Sequence, residues 1–149
     1  MPGVLRISEA TTLALHTLAL LAHHGQKRFT SDDMAERLNA SSHHVAKVMR
    51  RLVRAGLVES LRGPLGGFRL NMQPKDVQLL HVFEVIEGPL SMDGCLLREQ
   101  VCPGNQCRLG NLLCRLQEQI HTTLARTTLA DFSRDLAHSG MYRERREPS

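Results

Sequence analysis

The chain has 149 residues, enough for one domain, or one small domain with an oligomerisation element, and few for a two-domain enzyme. Nineteen Lys+Arg against fifteen Asp+Glu give a net charge of +4, and aromatic residues make up only 3%, so Leu and Ala must supply the core. The best apolar run, Leu13 to Ala22, contains His16 and Thr17 and falls short of the roughly 18 residues that cross a bilayer, and no convincing signal-peptide cleavage site follows it. A cytoplasmic protein without membrane association is expected.

In chain order, Ser8 is placed to cap a first helix, whose Leu13, Leu15, Leu18, Leu20, Leu21 and Ala22 wrap most of its circumference, and Gly25 stops it. Thr30 with Asp33 three residues on approximates a capping box for a short second helix, with Met34, Ala35 and Leu38 on one stripe and Asn39 at its end. Ser41 or Ser42 caps a third helix running to about Ala55. Its Val45, Val48, Met49, Leu52 and Val53 point inward, and Gly56 closes it. Strands are predicted over Leu57 to Leu61 and Phe68 to Met72, joined by the glycine-rich turn Arg62-Gly63-Pro64-Leu65-Gly66-Gly67. Three helices and a β-hairpin spell a mainly α fold, a winged helix-turn-helix. A fourth helix is predicted over Lys75 to Glu87, broken by Gly88-Pro89. After a Cys/Gly/Pro-containing loop, Leu109, Leu112, Leu113, Leu116, Ile120 and Leu124 recur at helical spacings. Such a seam is long for a small monomer and reads as a dimerisation helix. The organisation expected is a DNA-binding domain over 1–87, a cysteine loop over 88–107, dimerisation and C-terminal helices over 108–142, and a flexible tail over 143–149.

Charge is concentrated in the reader. Residues 43–69 hold Lys47, Arg50, Arg51, Arg54, Arg62 and Arg69 against Glu59 alone, so this stretch carries +5 and the remainder −1. A positive patch on a near-neutral body suits a polyanion, because phosphate contacts release counterions. In a helix-turn-helix the second helix of the motif leads with its N-terminal turns into the major groove. That puts His43, His44 and Lys47 near base edges, with Ser42 also in the DNA-binding set, and Arg50, Arg51 and Arg54 near phosphates or solvent. Arg62 and Arg69 flank Gly63, Gly66 and Gly67 at a wing tip able to approach the backbone or minor groove closely.

All four cysteines fall together, as Cys95-x6-Cys102-x4-Cys107-x6-Cys114. Clustered Cys in a chain without a secretory signal points to metal or redox chemistry. The absence of Cys-x2-Cys argues against a zinc knuckle, whereas an iron–sulfur cluster tolerates thiolates spread over a loop. Cys95, Cys102 and Cys107 are the candidate ligands. Cys114, about two turns beyond Cys107 or roughly 10 Å along a helix, reads first as a small apolar seam residue. A four-iron cluster wants a fourth ligand, for which Glu9, Thr12 or His16 of a partner's first helix, a small molecule, or Cys114 are the candidates.

The segments Leu5-Arg6-Ile7-Ser8, Arg54-Ala55-Gly56-Leu57-Val58, Leu61-Arg62-Gly63-Pro64-Leu65-Gly66-Gly67-Phe68-Arg69-Leu70 and Val85-Ile86-Glu87-Gly88, with the later cysteines, resemble the IscR/NsrR family of winged-helix regulators, the Rrf-two superfamily. His44-x-x-Lys47-Val48 and Thr128-Leu129-Ala130-Asp131 resemble its nitric-oxide-sensing NsrR branch. The resemblance implies a homodimer on a palindromic double-stranded DNA operator, and an iron–sulfur cluster on Cys95, Cys102 and Cys107 that controls DNA affinity. A 4Fe-4S cluster is the first expectation, with a 2Fe-2S cluster left open. Two departures stand out. The family's Cys-x5-Cys-x5-Cys is here x6 and x4, and neither of its fourth ligands carries over, since the acidic position of the first helix is Thr12 and the His position after the third cysteine is Gly110. Glu9 and His16, about one turn either side of Thr12, are the substitutes. The expected function is therefore a non-enzymatic transcriptional regulator, a repressor, sensing nitric oxide, redox state or iron–sulfur supply. The alternative is a cluster-free regulator switched by thiol oxidation.

Overall fold

The computed structural model describes residues 7–90, 97, 99, 101 and 107–142. Helix α1 (Glu9–His24) opens with the Ser8 hydroxyl accepting from the Thr11 amide and ends at Gly25, in a positive-φ conformation. It is the central element: Leu18 and Leu21 have no exposed surface, and α1 touches α2 (Ser31–Leu38), α3 (Ser42–Arg54), strand β2 (Gly67–Leu70), α4 (Leu79–Glu87) and α6 (Leu129–His138). An uncharged run wraps α1 on nearly every side because nearly every side is covered.

Capping fixes α2 and α3 locally. Thr30 and Asp33 form a reciprocal capping box, Asn39 takes the left-handed conformation that turns the chain, and the Ser41 hydroxyl accepts from the His44 amide. Strand β1 (Val58–Leu61) pairs antiparallel with β2 in the register Val58↔Leu70 to Leu61↔Gly67. Both strands are shorter than predicted, since Leu57 and Asn71 form a single flanking hydrogen bond of 3.0 Å outside the ladder. A bridge between Phe29 and Phe68 fastens the hairpin to the α1–α2 connection.

The predicted fourth helix starts late. Pro74–Asp76 forms one 3-10 turn, Val77 and Gln78 are extended, and α4 begins at Leu79. The reason lies fifty residues downstream: the Val77 carbonyl accepts from Leu129 N–H at 2.7 Å, and Leu79 N–H donates to the Thr127 carbonyl at 3.0 Å. This two-bond bridge needs extended backbone, and Val77, 2% exposed, anchors it. The C-terminal stretch divides at the same bridge into α5 (Arg108–Arg126) and α6, the latter opened by a Thr128/Asp131 capping box. No helix among the described residues is long and apolar enough to cross a membrane. The Leu5-Arg6 positions, most of the 88–107 loop and the 143–149 tail lie outside the described residues.

Candidate nucleic-acid interface and cysteine segment

Two faces of α3 do different work. Val45, Val48, Met49 and Leu52 are at most 4% exposed and lock the helix to the core, while His43, His44, Lys47, Arg50 and Arg54 stand exposed on the far side. Ser42 is turned inward to its neighbour instead: its hydroxyl donates to the Asp32 carboxylate and ties α3 to α2. The hydrogen bonds from the Thr30 amide and hydroxyl hold the Asp33 carboxyl below its ordinary value, so the cap is charged and complements the α2 N-terminus.

Three further residues of the sequence-defined set have partners within the chain. His44 Nδ1 lies 3.6 Å from Glu9 Oε2, both side chains more than half exposed. Arg69 pairs with Glu59 in the directly opposed position of the wing ladder. Arg51 donates through Nη2 to the carbonyls of Val85 at 3.2 Å and Ile86 at 2.7 Å, where the end of α4 exposes unpaired acceptors. Lys47, Arg50 and Arg54 of α3 and Arg62 of the wing are exposed cations.

The wing turn is tightly built. Gly66 N–H donates to the Gly63 carbonyl at 2.8 Å, and a Cβ on Gly66 would sit 2.8 Å from the Leu61 carbonyl oxygen. Gly67, at φ +139°, passes so close to Phe29 that a Cβ would lie 2.9 Å from its carbonyl oxygen. Arg28, from the α1–α2 connection, donates to the Leu65 carbonyl at 3.1 Å. Sequence reasoning missed Arg28, because it belongs to no periodic pattern and reaches across 37 positions. It missed Glu87 for the same reason; that carboxylate accepts from the Ser8 amide and the Thr11 hydroxyl, joining the ends of α1 and α4.

Of the cysteines, Cys95 and Cys102 lie outside the described residues. Cys107 caps α5, exposed, with its Sγ accepting from Gly110 N–H at 3.3 Å. The sulfur thus stands exposed at the first turn of a 19-residue helix, within reach of a metal ion or an oxidant. Cys114 is half-buried further along α5. His16 Nδ1 lies 2.7 Å from the Thr12 carbonyl, which can only accept, so this bond leaves the Nε2 lone pair as the donor site. Glu9 and Thr12 are exposed on the same stretch of α1. Among the described residues no three His, Cys, Asp or Glu side chains converge into a metal site. The donor chemistry of Cys107 and His16 nevertheless fits an iron–sulfur ligand set completed by other residues.

Comparison with known proteins places this geometry in context. A family model described as an iron-dependent transcriptional regulator, Rrf2, matches residues 7–135. The chain is 30% identical over 151 aligned positions to the HTH-type transcriptional regulator NsrR of Geobacillus kaustophilus, covering 95% of this chain and 99% of that one. It is 39% identical over 83 residues to the HTH-type transcriptional regulator BadM of Rhodopseudomonas palustris, a match spanning about half of that protein, 53% of its length. The solved structure of CymR, the global cysteine regulator of Bacillus subtilis, superposes with a TM-score of 0.75 at 27% identity, over 88% of this chain and 98% of that one. These relatives are named as transcriptional regulators, a non-enzymatic class.

Proposed function

The chain belongs to the Rrf2 family of transcriptional regulators, and on that premise we propose that it is a homodimeric repressor that binds a two-half-site DNA operator and senses nitric oxide, redox state or iron–sulfur supply through Cys95, Cys102 and Cys107. One observation carries the DNA part: Lys47, Arg50 and Arg54 are exposed on α3 and Arg62 is exposed on the wing, while the apolar face of α3 is fixed in the core. His43, His44 and Lys47 lie in the leading turns and read base edges, and Arg50 and Arg54 bind phosphates. Ser42, Arg51 and Arg69 position these groups through their bonds to Asp32, α4 and Glu59.

Dimerisation is supported by α5. Leu109, Leu112 and Leu116 are 57%, 44% and 38% exposed, and α5 packs chiefly on α4. An apolar seam left open in one chain is closed by the same seam of a second copy.

The sensing part rests on the exposed position of Cys107 at the start of α5, at the end of the cysteine loop, and on similarity to NsrR. A bound 4Fe-4S or 2Fe-2S cluster would supply thiolate-held iron open to attack by nitric oxide and oxidants. On the protein side, His16 or Glu9 of a second copy, or Cys114, completes the ligand set. Arg51 and Glu87 join the end of α4, next to the cysteine loop, to α3 and α1 respectively, so movement of that loop biases the reading helix. Anaerobically purified protein should contain iron and sulfide and lose its visible absorption with Cys107→Ala; a colourless, iron-free protein would refute the cluster. Similarity to a cysteine regulator favours the second reading, a reversible disulfide among the same cysteines. In that case operator binding responds to oxidant identically with and without an iron chelator.

A further inference from the structure

Leu65, at the apex of the wing, has 80% of its surface exposed. An exposed leucine in a loose loop needs no account. This turn, however, is held in one shape. The Gly66-to-Gly63 hydrogen bond closes it, the Leu61 and Gly63 carbonyl oxygens leave no room for a Cβ at Gly66, and Arg28 grips the carbonyl of Leu65 itself. The connection carrying Arg28 is in turn bridged to the wing through Phe29 and Phe68. The backbone of Leu65 is thus fastened from inside the turn and from outside it, while its side chain is held out into solvent.

Charge around the tip selects the partner. Arg28 and Arg62 are both exposed, residues 62–67 contain no carboxylate, and Glu59 on β1 is neutralised by Arg69. A leucine whose own carbonyl one exposed arginine holds, and which follows another exposed arginine by three positions, is poorly matched to an apolar protein surface, which would bury the arginines without partners. It is well matched to a groove with phosphate rims and sugar CH walls, where negative potential draws in arginine and apolar side chains pack below it.

We propose that Leu65 is an apolar contact residue that enters the minor groove of duplex DNA and packs on its deoxyribose walls, with Arg28 fixing its aim and adding a cation beside it. This rests on the DNA-binding reading and extends it to two residues that the electrostatic pattern does not mark.

The probe is a duplex recovered by in-vitro selection from a random library with the full chain, and binding is followed by fluorescence anisotropy over a range of salt. Leu65→Ala should bind about tenfold more weakly with an unchanged salt slope, because the lost contact is apolar and releases no counterion. Leu65→Met should stay within about twofold of the intact chain, as a volume-conserving change does. Arg28→Ala should weaken binding and lower the slope by about one. Hydroxyl-radical footprinting should show Leu65→Ala losing protection only at the deoxyriboses beneath the wing. The urea midpoint of Leu65→Ala should match that of the intact chain. Equal affinity of Leu65→Ala and the intact chain, or an unchanged footprint, overturns the proposal alone. Failure of the intact chain to select or bind any duplex would overturn the DNA-binding reading beneath it.

Discussion

Neighbouring arginines on α3 have different fates. Arg50 is exposed with its charge directed to solvent, whereas Arg51 caps the Val85 and Ile86 carbonyls. Arg50→Ala is therefore expected to lower the salt slope of duplex binding by about one while leaving the urea midpoint in place. Arg51→Ala is expected to cost about 1 kcal/mol of stability, the scale of an exposed charge-assisted cap at a helix C-terminus, and equilibrium urea denaturation reads the difference. Gly67 makes a sharper case, since its φ of +139° and the Phe29 carbonyl both oppose a side chain. Gly67→Ala should destabilise the chain by about 1–3 kcal/mol, again measured in urea, and shift the Phe29 and Phe68 amide resonances at the bridge. None of these distinctions follows from residue type: Arg50 and Arg51 are identical in sequence terms and differ by the 100° that separates successive positions on a helix.

Among the elements, the two capping boxes carry the clearest pH dependence. The Thr30 bonds hold the Asp33 carboxyl below its ordinary value of 3.8 in the folded state. The sign follows from linkage: a depressed folded value contributes stability that is complete above the unfolded value and is lost as pH falls through the folded one. Asp33→Ala should thus lower the urea midpoint more at pH 7 than at pH 3, and an equal loss at both would show that the carboxylate charge is idle. Thr30→Ala removes the hydroxyl that caps α2 and should cost about 1 kcal/mol. Asp131 is lowered by Thr128 in the same way at the start of α6. The first box was read from the sequence, as Thr-x-x-Asp, because a cap is satisfied within four residues. The start of α4 was not, because Val77 and Gln78 obey a bridge to Thr127 and Leu129 instead of their local helical pattern.

At the scale of the whole molecule, most of the basic residues of 43–69 are exposed on α3 and the wing, α3 packs on α1, and α5 packs on α4. The exposed leucines of α5 make the assembly testable. Leu112→Asp with Leu116→Asp should convert a dimer to a monomer in sedimentation equilibrium, because each carboxylate would be buried unpaired in the seam. The α1–α3 and wing signals should persist in circular dichroism and NMR, since these leucines lie on a helix that contributes only Gly110 to the buried set. Affinity for a two-half-site duplex should fall to that for a single half-site. A dimer that survives both substitutions would move the interface elsewhere.

By itself the sequence determined the helix starts at Ser8 and Thr30 and a third at Ser41 or Ser42, the stops at Gly25, Asn39 and Gly56, the wing turn, and the division of α3 into apolar and basic faces. All of these rest on interactions within a few residues or on a single helical period. Only the tertiary structure decided that Arg51 serves α4, that Glu87 holds the start of α1, that Arg28 reaches Leu65, and that α4 begins after a bridge to the far end of the chain. Those contacts join positions 34 to 79 residues apart, and backbone and side-chain polar groups find such partners only once packing has brought the segments together.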